Sequence, residues 1–406
     1  MPNNTNTVVF LDTVQYGYGL SVLNLSIQNT DMNCSILVLF WRLQPYVIKM
    51  KNSLVCLNTV VRGLIVVVFF TGLINCKEDE KDKPSVVPPP EAEAPEEEVP
   101  KLITATAVEY YGALKVVGNQ ILGKDDKPVQ LRGMSFFWSQ WIGKYYTPET
   151  VTWLKDDWHC SIVRAAMAVD QGGYLTNPET EKQKIYTVVD AAIEAGLYVI
   201  IDWHDHYAYD HTQEAKIFFA TMAQKYGDKP NVIYEPFNEP MQVSWSGLVK
   251  PYLQAVIDTI RHYDPDNLIV CGSPTWSQDV DVAANDPLVG ENLAYTLHFY
   301  SGTHKQFLRD KAKRAMDKGI ALMVTEFGTT DATGDGLVNK EETRLWFDFI
   351  EDHNLSWCNW SIADKVESSA ALKPNASATG HWTEDQLTES GAFIRNEILA
   401  KNPDFE

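Results

Sequence analysis

The sequence predicts an α/β fold, a closed (β/α)8 barrel of the TIM type, preceded by a segment of different character. Three observations predict it. Short apolar runs alternate with longer amphipathic stretches from residue 108 to the end of the chain. The runs are continuous rather than alternating, as in strands of a parallel sheet that are buried on both faces. Eight such units fall within the roughly 250 residues or more that a barrel of this kind occupies. A doubly wound open sheet is the structural alternative, but no GxGxxG follows the first run, so a dinucleotide fold has no support.

In order, the runs are QLRGMSF (130–136), IVRAAM (162–167), YVIIDW (198–203), VIYEPF (232–237), LIVCGS (268–273), LAYTLHFY (293–300), ALMVTEF (321–327) and LSWCNWS (355–361). Helical segments lie between them. Thr187 to Ala195, for example, carries apolar residues at Val188, Ala191, Ala192 and Ala195.

The front of the chain reads as an address. Residues 1–49 are expected not to belong to the natural mature protein. Met50 opens a stretch that reads as a signal peptide over 50–76, with Lys51 and Arg62 as its basic part and Gly63 to Ile74 as its apolar core. That core is about half of the ~20 residues a membrane-spanning helix needs. Residues 77–107 are rich in Pro and Glu and poor in large apolar side chains. Such a segment buries too little surface to offset its ordering entropy and reads as an extended acidic tether. The barrel is expected over 108–402.

Composition narrows the function. The chain has 406 residues, 45% hydrophobic and 22% charged, with a net charge of −20. Proteins that track phosphate backbones concentrate Lys and Arg, so nucleic acid is not expected as a partner. An uncharged polymer meets no such penalty. Cys34, Cys56, Cys76, Cys160, Cys271 and Cys358 show no CxxC spacing. Cys160, Cys271 and Cys358 lie in or beside apolar runs and are read as buried free thiols.

The chemistry of a barrel collects at the C-terminal ends of its strands. Here those ends carry Arg164, Asp202-Trp203-His204, Asn238-Glu239-Pro240, His298 with Tyr300, Glu326 and Trp360. Each alone has an ordinary structural explanation; their coincidence on one rim does not. Carboxylates on the fourth and seventh strands would face each other across the mouth, as glycosidic hydrolysis requires.

These motifs resemble glycoside hydrolase family 5, a clan A family of bacterial endoglucanases and cellulases. Ile233-Tyr234-Glu235-Pro236-Phe237-Asn238-Glu239-Pro240 is similar to its Asn-Glu-Pro signature, and Val324-Thr325-Glu326-Phe327-Gly328 to its nucleophile strand. The resemblance implies Glu239 as general acid/base and Glu326 as nucleophile of a retaining reaction, with Asn238 on the substrate 2-hydroxyl. It also implies that Arg164 supports the nucleophile, that His204 lies in the cleft, and that His298 and Tyr300 orient the two carboxyls. Trp360 and Lys365, in WCNWSIADK, resemble a stacking tryptophan and a sugar-binding lysine. One departure stands in RGMSFFWSQW, where Phe137 or Trp138 takes the place of a family histidine. Trp138 and Trp141 are thereby candidate stacking platforms, with packing as the alternative. Leu73-Ile74-Asn75-Cys76 resembles a lipoprotein lipobox, which implies a lipid anchor on Cys76.

The expected protein is therefore an extracytoplasmic, monomeric endo-β-1,4-glucanase without a cofactor, membrane-anchored at the cell surface or in the periplasm, or secreted. A β-mannanase or mixed-linkage glucanase on the same scaffold is the enzymatic alternative; a non-catalytic glycan-binding lipoprotein is the rival from another class. Asp331, Asp335, Gly336, Asn339 and Glu342 fall at EF-hand spacings, but Thr333 is a poor third ligand and a strand precedes them. The segment is read as a turn-rich loop and no metal is assigned.

Overall fold

The computed structural model describes residues 102–405 and, before them, the backbone of strands Val8–Tyr16, Leu20–Asn29 and Met32–Trp41. The chain divides into two compact units, residues 1–94 and 95–406. The first holds those three strands as one antiparallel sheet in sequence order, which the reading of the sequence did not anticipate. The expected signal peptide, with Cys76, and residues 77–101 of the expected tether lie outside the described residues.

In the second unit eight parallel strands close into a barrel, as predicted. They are β1 (Arg132–Phe136), β2 (Ile162–Ala168), β3 (Tyr198–His204) and β4 (Val232–Glu235). β5 (Ile269–Cys271), β6 (Leu293–Tyr300), β7 (Ala321–Gly328) and β8 (Trp357–Ile362) complete it. β8 pairs with β1 to close the ring. Around it run α1 (Pro148–Asp156), α2 (Pro178–Glu194), α3 (Thr212–Tyr226) and α4 (Lys250–Tyr263). After them come the short α5 (Val280–Ala283), α6 (Gln306–Asp317), α7 (Lys340–His353) and α8 (Glu389–Lys401).

The continuous apolar runs are explained by two cores that share the strands alternately. Ile162, Tyr198, Ile200, Ile233, Val270 and Met323 point into the barrel, and Val163, Val199, Ile201, Val232 and Tyr234 pack outward under the helices. Gly133 in β1 is forced by close approach, since a Cβ there would lie 1.8 Å from the Ile162 carbonyl oxygen. Cys160, Cys271 and Cys358 are buried free thiols, as expected.

Ordered structure reaches beyond the predicted bounds of 108 and 402 at both ends. Leu102–Ile103 pairs with Asp404–Phe405, and Thr106 with Glu109 forms a capping box for the helix Ala107–Tyr111. Buried Ala107 and Phe405 join Leu114, Ile121 and Leu131 in the core under the strands' N-terminal ends. The tether reading thus ends by residue 102, where the chain begins to cover apolar surface. In the 331–342 loop, Asn339 caps α7 and Glu342 Oε1 takes a hydrogen bond from Arg309 at 2.6 Å. Among the described residues no helix is long and apolar enough to cross a membrane.

Candidate active site

Register carries the polar residues to one end of the barrel. Glu235 pairs with Asp202 across β4 and β3, and His298 with Glu326 across β6 and β7. Arg164 rises from β2 and is fully buried among acids. Its Nε donates to Glu235 Oε2 at 2.8 Å, Nη1 to Glu326 Oε2 at 3.1 Å, and Nη2 to Asn238 Oδ1 at 2.7 Å, with Asp202 Oδ2 at 2.9 Å. Burial opposes its charge, and Asp202, Glu235 and Glu326 outweigh that opposition and hold it cationic.

Glu239 and Glu326 come together across the mouth. One ligand atom from each of Glu239, His298 and Glu326 lies within 4.8 Å of the others. Their partners differ. Glu326 Oε1 accepts the Tyr300 hydroxyl at 2.8 Å and Oε2 the Arg164 guanidinium, both of which favour a carboxylate. Glu239 meets imidazoles instead, His298 Nδ1 at 2.8 Å from Oε1 and His206 Nδ1 at 3.7 Å from Oε2. Burial raises the Glu239 carboxyl to about 7, against the pull of His206 and Arg164. Burial also raises Glu326, and the neighbouring Glu239 adds to it, while His298, Arg164 and Tyr300 lower it. Two close carboxyls do not both ionise easily, and the one with a guanidinium keeps the charge. The arrangement sets a carboxyl pushed toward its protonated form beside one held by a guanidinium and a phenol.

The pair opens into a cavity of about 610 Å³ that Gln242, Thr275, Trp276, Gln278 and His304 also line. A hollow of about 740 Å³ by Leu114, Asp266 and Asn292 lies toward the strand N-termini, away from these groups. Among the described residues, Glu239, His298 and Glu326 form the one cluster of such side chains close enough to share an ion. Their mutual engagement with Arg164 and Tyr300 suits a proton and a sugar.

The remaining predicted residues sit beside the pair. His204 Nδ1 lies 2.6 Å from Asp202 Oδ2, and burial with Arg164 nearby keeps the ring neutral. Trp360 is buried, with one face stacked on His204 at 5.1 Å and 3° and the Phe137 ring tilted against it at 5.1 Å. Trp138 meets His204 edge-on at 4.2 Å. Trp141 is half exposed and packs on Trp138 at 5.1 Å, which leaves it the more accessible platform of the two. Lys365 is not in the carboxylate cavity: Nζ pairs with Glu367 at 2.5 Å and sits 4.8 Å over the Phe137 ring. Phe137 therefore fills its site by packing rather than by hydrogen bonding.

Sequence reasoning placed Asp202 on the rim without a role, and missed His206, Glu235, Trp276, Thr296 and Thr325 as parts of the site. Glu235 was readable as an acid inside an apolar strand, which burial requires to be paired. Trp276 had no such signal. It belongs to a turn in which Thr275, Trp276 and Ser277 all have positive φ, 59°, 53° and 57°. That turn is bound to the acid's own segment: Trp276 N–H donates to Pro240 O at 2.8 Å and Ser277 Oγ to Asn238 O at 2.7 Å. Three strained residues persist where surrounding contacts over-determine them.

The sequence profile of the family described as Cellulase (glycosyl hydrolase family 5) matches residues 122–366. The chain is 51% identical over 289 residues to Endoglucanase Z of Dickeya dadantii, covering 70% of this chain and 66% of that protein. It is 46% identical over 302 residues to an endoglucanase of Clostridium saccharobutylicum, covering 73% and 67%. It thus spans about two thirds of the length of these relatives. A solved structure from Cytophaga hutchinsonii superposes with a TM-score of 0.73 at 54% identity, over 73% of this chain and 97% of that one. The catalytic domain of Thermobifida fusca endoglucanase Cel5A, in a variant bound to cellotetraose, superposes with a TM-score of 0.70 at 33% identity, over 72% and 99%.

Proposed function

The chain belongs to glycosyl hydrolase family 5, the cellulase family, and from that premise we propose that it is a retaining endo-β-1,4-glucanase. It is a glycoside hydrolase, and internal β-1,4-glucosidic bonds of cellulose or related β-glucans are its substrate. The observation that carries the reading is the separation of Glu239 and Glu326, whose oxygens approach within 4.8 Å. Retaining glycosidases hold their carboxyls about 5–5.5 Å apart, whereas inverting ones leave about 6.5–9.5 Å for a water.

In the first displacement Glu326 attacks the anomeric carbon while Glu239 gives its proton to the departing oxygen. The anomeric carbon–oxygen bond breaks and a glycosyl ester forms on Glu326. In the second, Glu239 takes a proton from water as the water attacks the same carbon and frees Glu326. Configuration is inverted twice and therefore retained. Asn238, with Oδ1 held by Arg164, offers Nδ2 as donor to a sugar hydroxyl. Trp276 supplies an aromatic face in the cavity next to the acid, where the leaving portion of the chain departs.

Reducing-sugar release from carboxymethyl-cellulose, barley β-glucan and β-mannan, with Glu326→Ala beside the native protein, tests the reading. Release from the glucans that vanishes in the variant is expected. Release from β-mannan alone would overturn the glucan assignment, and binding without release would favour a glycan-capture protein.

We also propose, from the sequence of 50–101, an extracytoplasmic protein held to a membrane by a lipid on Cys76 and set off by the acidic tether, acting as a monomer. Metabolic labelling with a radioactive fatty acid that is lost in Cys76→Ser tests this; label retained in the variant would contradict it.

A further inference from the structure

A continuous run of hydrogen bonds joins the two catalytic carboxyls beneath the cleft floor. Glu239 Oε1 meets His298 Nδ1 at 2.8 Å, and His298 Nε2 meets Thr325 Oγ1 at 2.9 Å. Thr325 Oγ1 meets Glu235 Oε1 at 2.7 Å. Glu235 and Glu326 are then bridged by Arg164, at 2.8 Å and 3.1 Å. Thr325, Glu235 and Arg164 are wholly buried, so no solvent competes for these bonds.

Donor accounting gives the run a direction. Glu235 is ion-paired with Arg164 and accepts only. Thr325 has one hydroxyl proton, which goes to Glu235. Its oxygen then accepts from His298; the neighbouring Thr296 hydroxyl, in contact with Thr325, also has Glu235 Oε1 within reach at 3.4 Å. His298 must therefore carry its proton on Nε2. A neutral imidazole has one N–H, so Nδ1 is bare and faces Glu239.

We propose that Thr325, anchored on Glu235, is a positioning residue for this reaction: it fixes His298 as the Nε2–H tautomer and so presents an acceptor, not a donor, to the acid/base Glu239. The difference is chemical. A donor at Nδ1 would stabilise ionised Glu239 and remove the acid, whereas an acceptor stabilises its protonated form. The ring also has to stay neutral, and burial pushes it down to about 4. The lock rests on Glu239 being the acid of the glucanase.

Thr325→Val removes the hydroxyl at nearly constant volume, and Thr325→Ser restores it. Nitrogen-15 NMR of histidine-labelled protein, with His298 assigned through His298→Asn, reads the tautomer directly. In the native protein and in Thr325→Ser, Nδ1 is expected to be unprotonated and Nε2 protonated; Thr325→Val is expected to lose that pattern. With cellotetraose, kcat of Thr325→Val is expected to fall about 100-fold with KM nearly unchanged, as loss of a supported general acid implies, and Thr325→Ser to recover most of it. Nδ1–H in the native protein overturns the lock even if Thr325→Val does not fold. So does a Thr325→Val protein that keeps both tautomer and kcat. Absence of cellotetraose hydrolysis by the native protein would instead overturn the glucanase reading and leave the NMR result to judge the tautomer.

Discussion

Arg164 Nη1 lies 3.1 Å from Glu326 Oε2, and among the described residues no guanidinium contacts Glu239. This asymmetry is what the proposed roles of two otherwise similar acids rest on. Both are pushed up by burial, but only Glu326 has a permanent cation and a phenol to hold its charge. Arg164 does more than neutralise. Its fork also fixes Glu235 and Asn238, so nucleophile, acid-bearing segment and the interior of β4 share one rigid centre.

Glu239→Gln leaves the nucleophile and its partners in place and removes the proton donor. Hydrolysis of cellotetraose is expected to fall by about 10³-fold, within the range general acid–base groups supply. A cellobioside with a dinitrophenolate leaving group needs no proton, so its first step is expected to survive as a burst of phenolate. Equal loss on both substrates in stopped-flow measurements would contradict the assignment.

The pH profile follows from the acid. Glu239 must be protonated to act, so kcat/KM is expected to decline as pH rises through about 7. The His206 imidazole, with Nδ1 3.7 Å from Glu239 Oε2, opposes the upward push of burial on Glu239. Replacing that ring in His206→Gln is therefore expected to move the alkaline limb to higher pH. An unmoved or lowered limb, measured on barley β-glucan, would contradict this electrostatic role.

Trp276→Ala removes the aromatic face that lines the cavity beside the acid. Aromatic contacts contribute about 0.5–1.5 kcal/mol beyond burial, so KM for cellopentaose is expected to rise about tenfold. An aryl cellobioside, which places no sugar beyond the cleaved bond, is expected to be nearly unaffected. The comparison of the two substrates is the check.

At the opposite end, Arg132 Nη2 donates to Glu351 at 2.9 Å and 3.0 Å, and Nη1 to Asn402 Oδ1 at 3.3 Å. The contact ties β1 to α7 and to the end of α8. Arg132→Met is expected to lower stability by about 2 kcal/mol, the scale of hydrogen bonds to charged groups, with kcat unchanged. Urea unfolding followed by an assay in the absence of urea measures both.

The sequence was legible where a residue's environment repeats along the chain. All eight strands could be read because burial on both faces demands unbroken apolar runs, and Glu239 and Glu326 could be read as acids at the exits of such runs. Asp202, Glu235 and Thr325 were harder, because only the closed barrel shows that they converge on Arg164 and His298. Trp276 depends on a turn of unusual dihedral angles. The pairing of Leu102–Ile103 with Asp404–Phe405 joins two-residue strands from opposite ends of the unit, and no local pattern marks it.

Double displacement at this site requires a covalent glycosyl ester on Glu326. A 2-deoxy-2-fluoro-cellobioside with a good leaving group slows hydrolysis of such an ester, so intact-protein mass spectrometry followed by peptide mapping detects it. One fluorocellobiosyl unit per chain, mapped to Glu326 and absent in Glu326→Ala, is the predicted result. An adduct on Glu239, or none while cellotetraose is still cleaved with inversion, would contradict it.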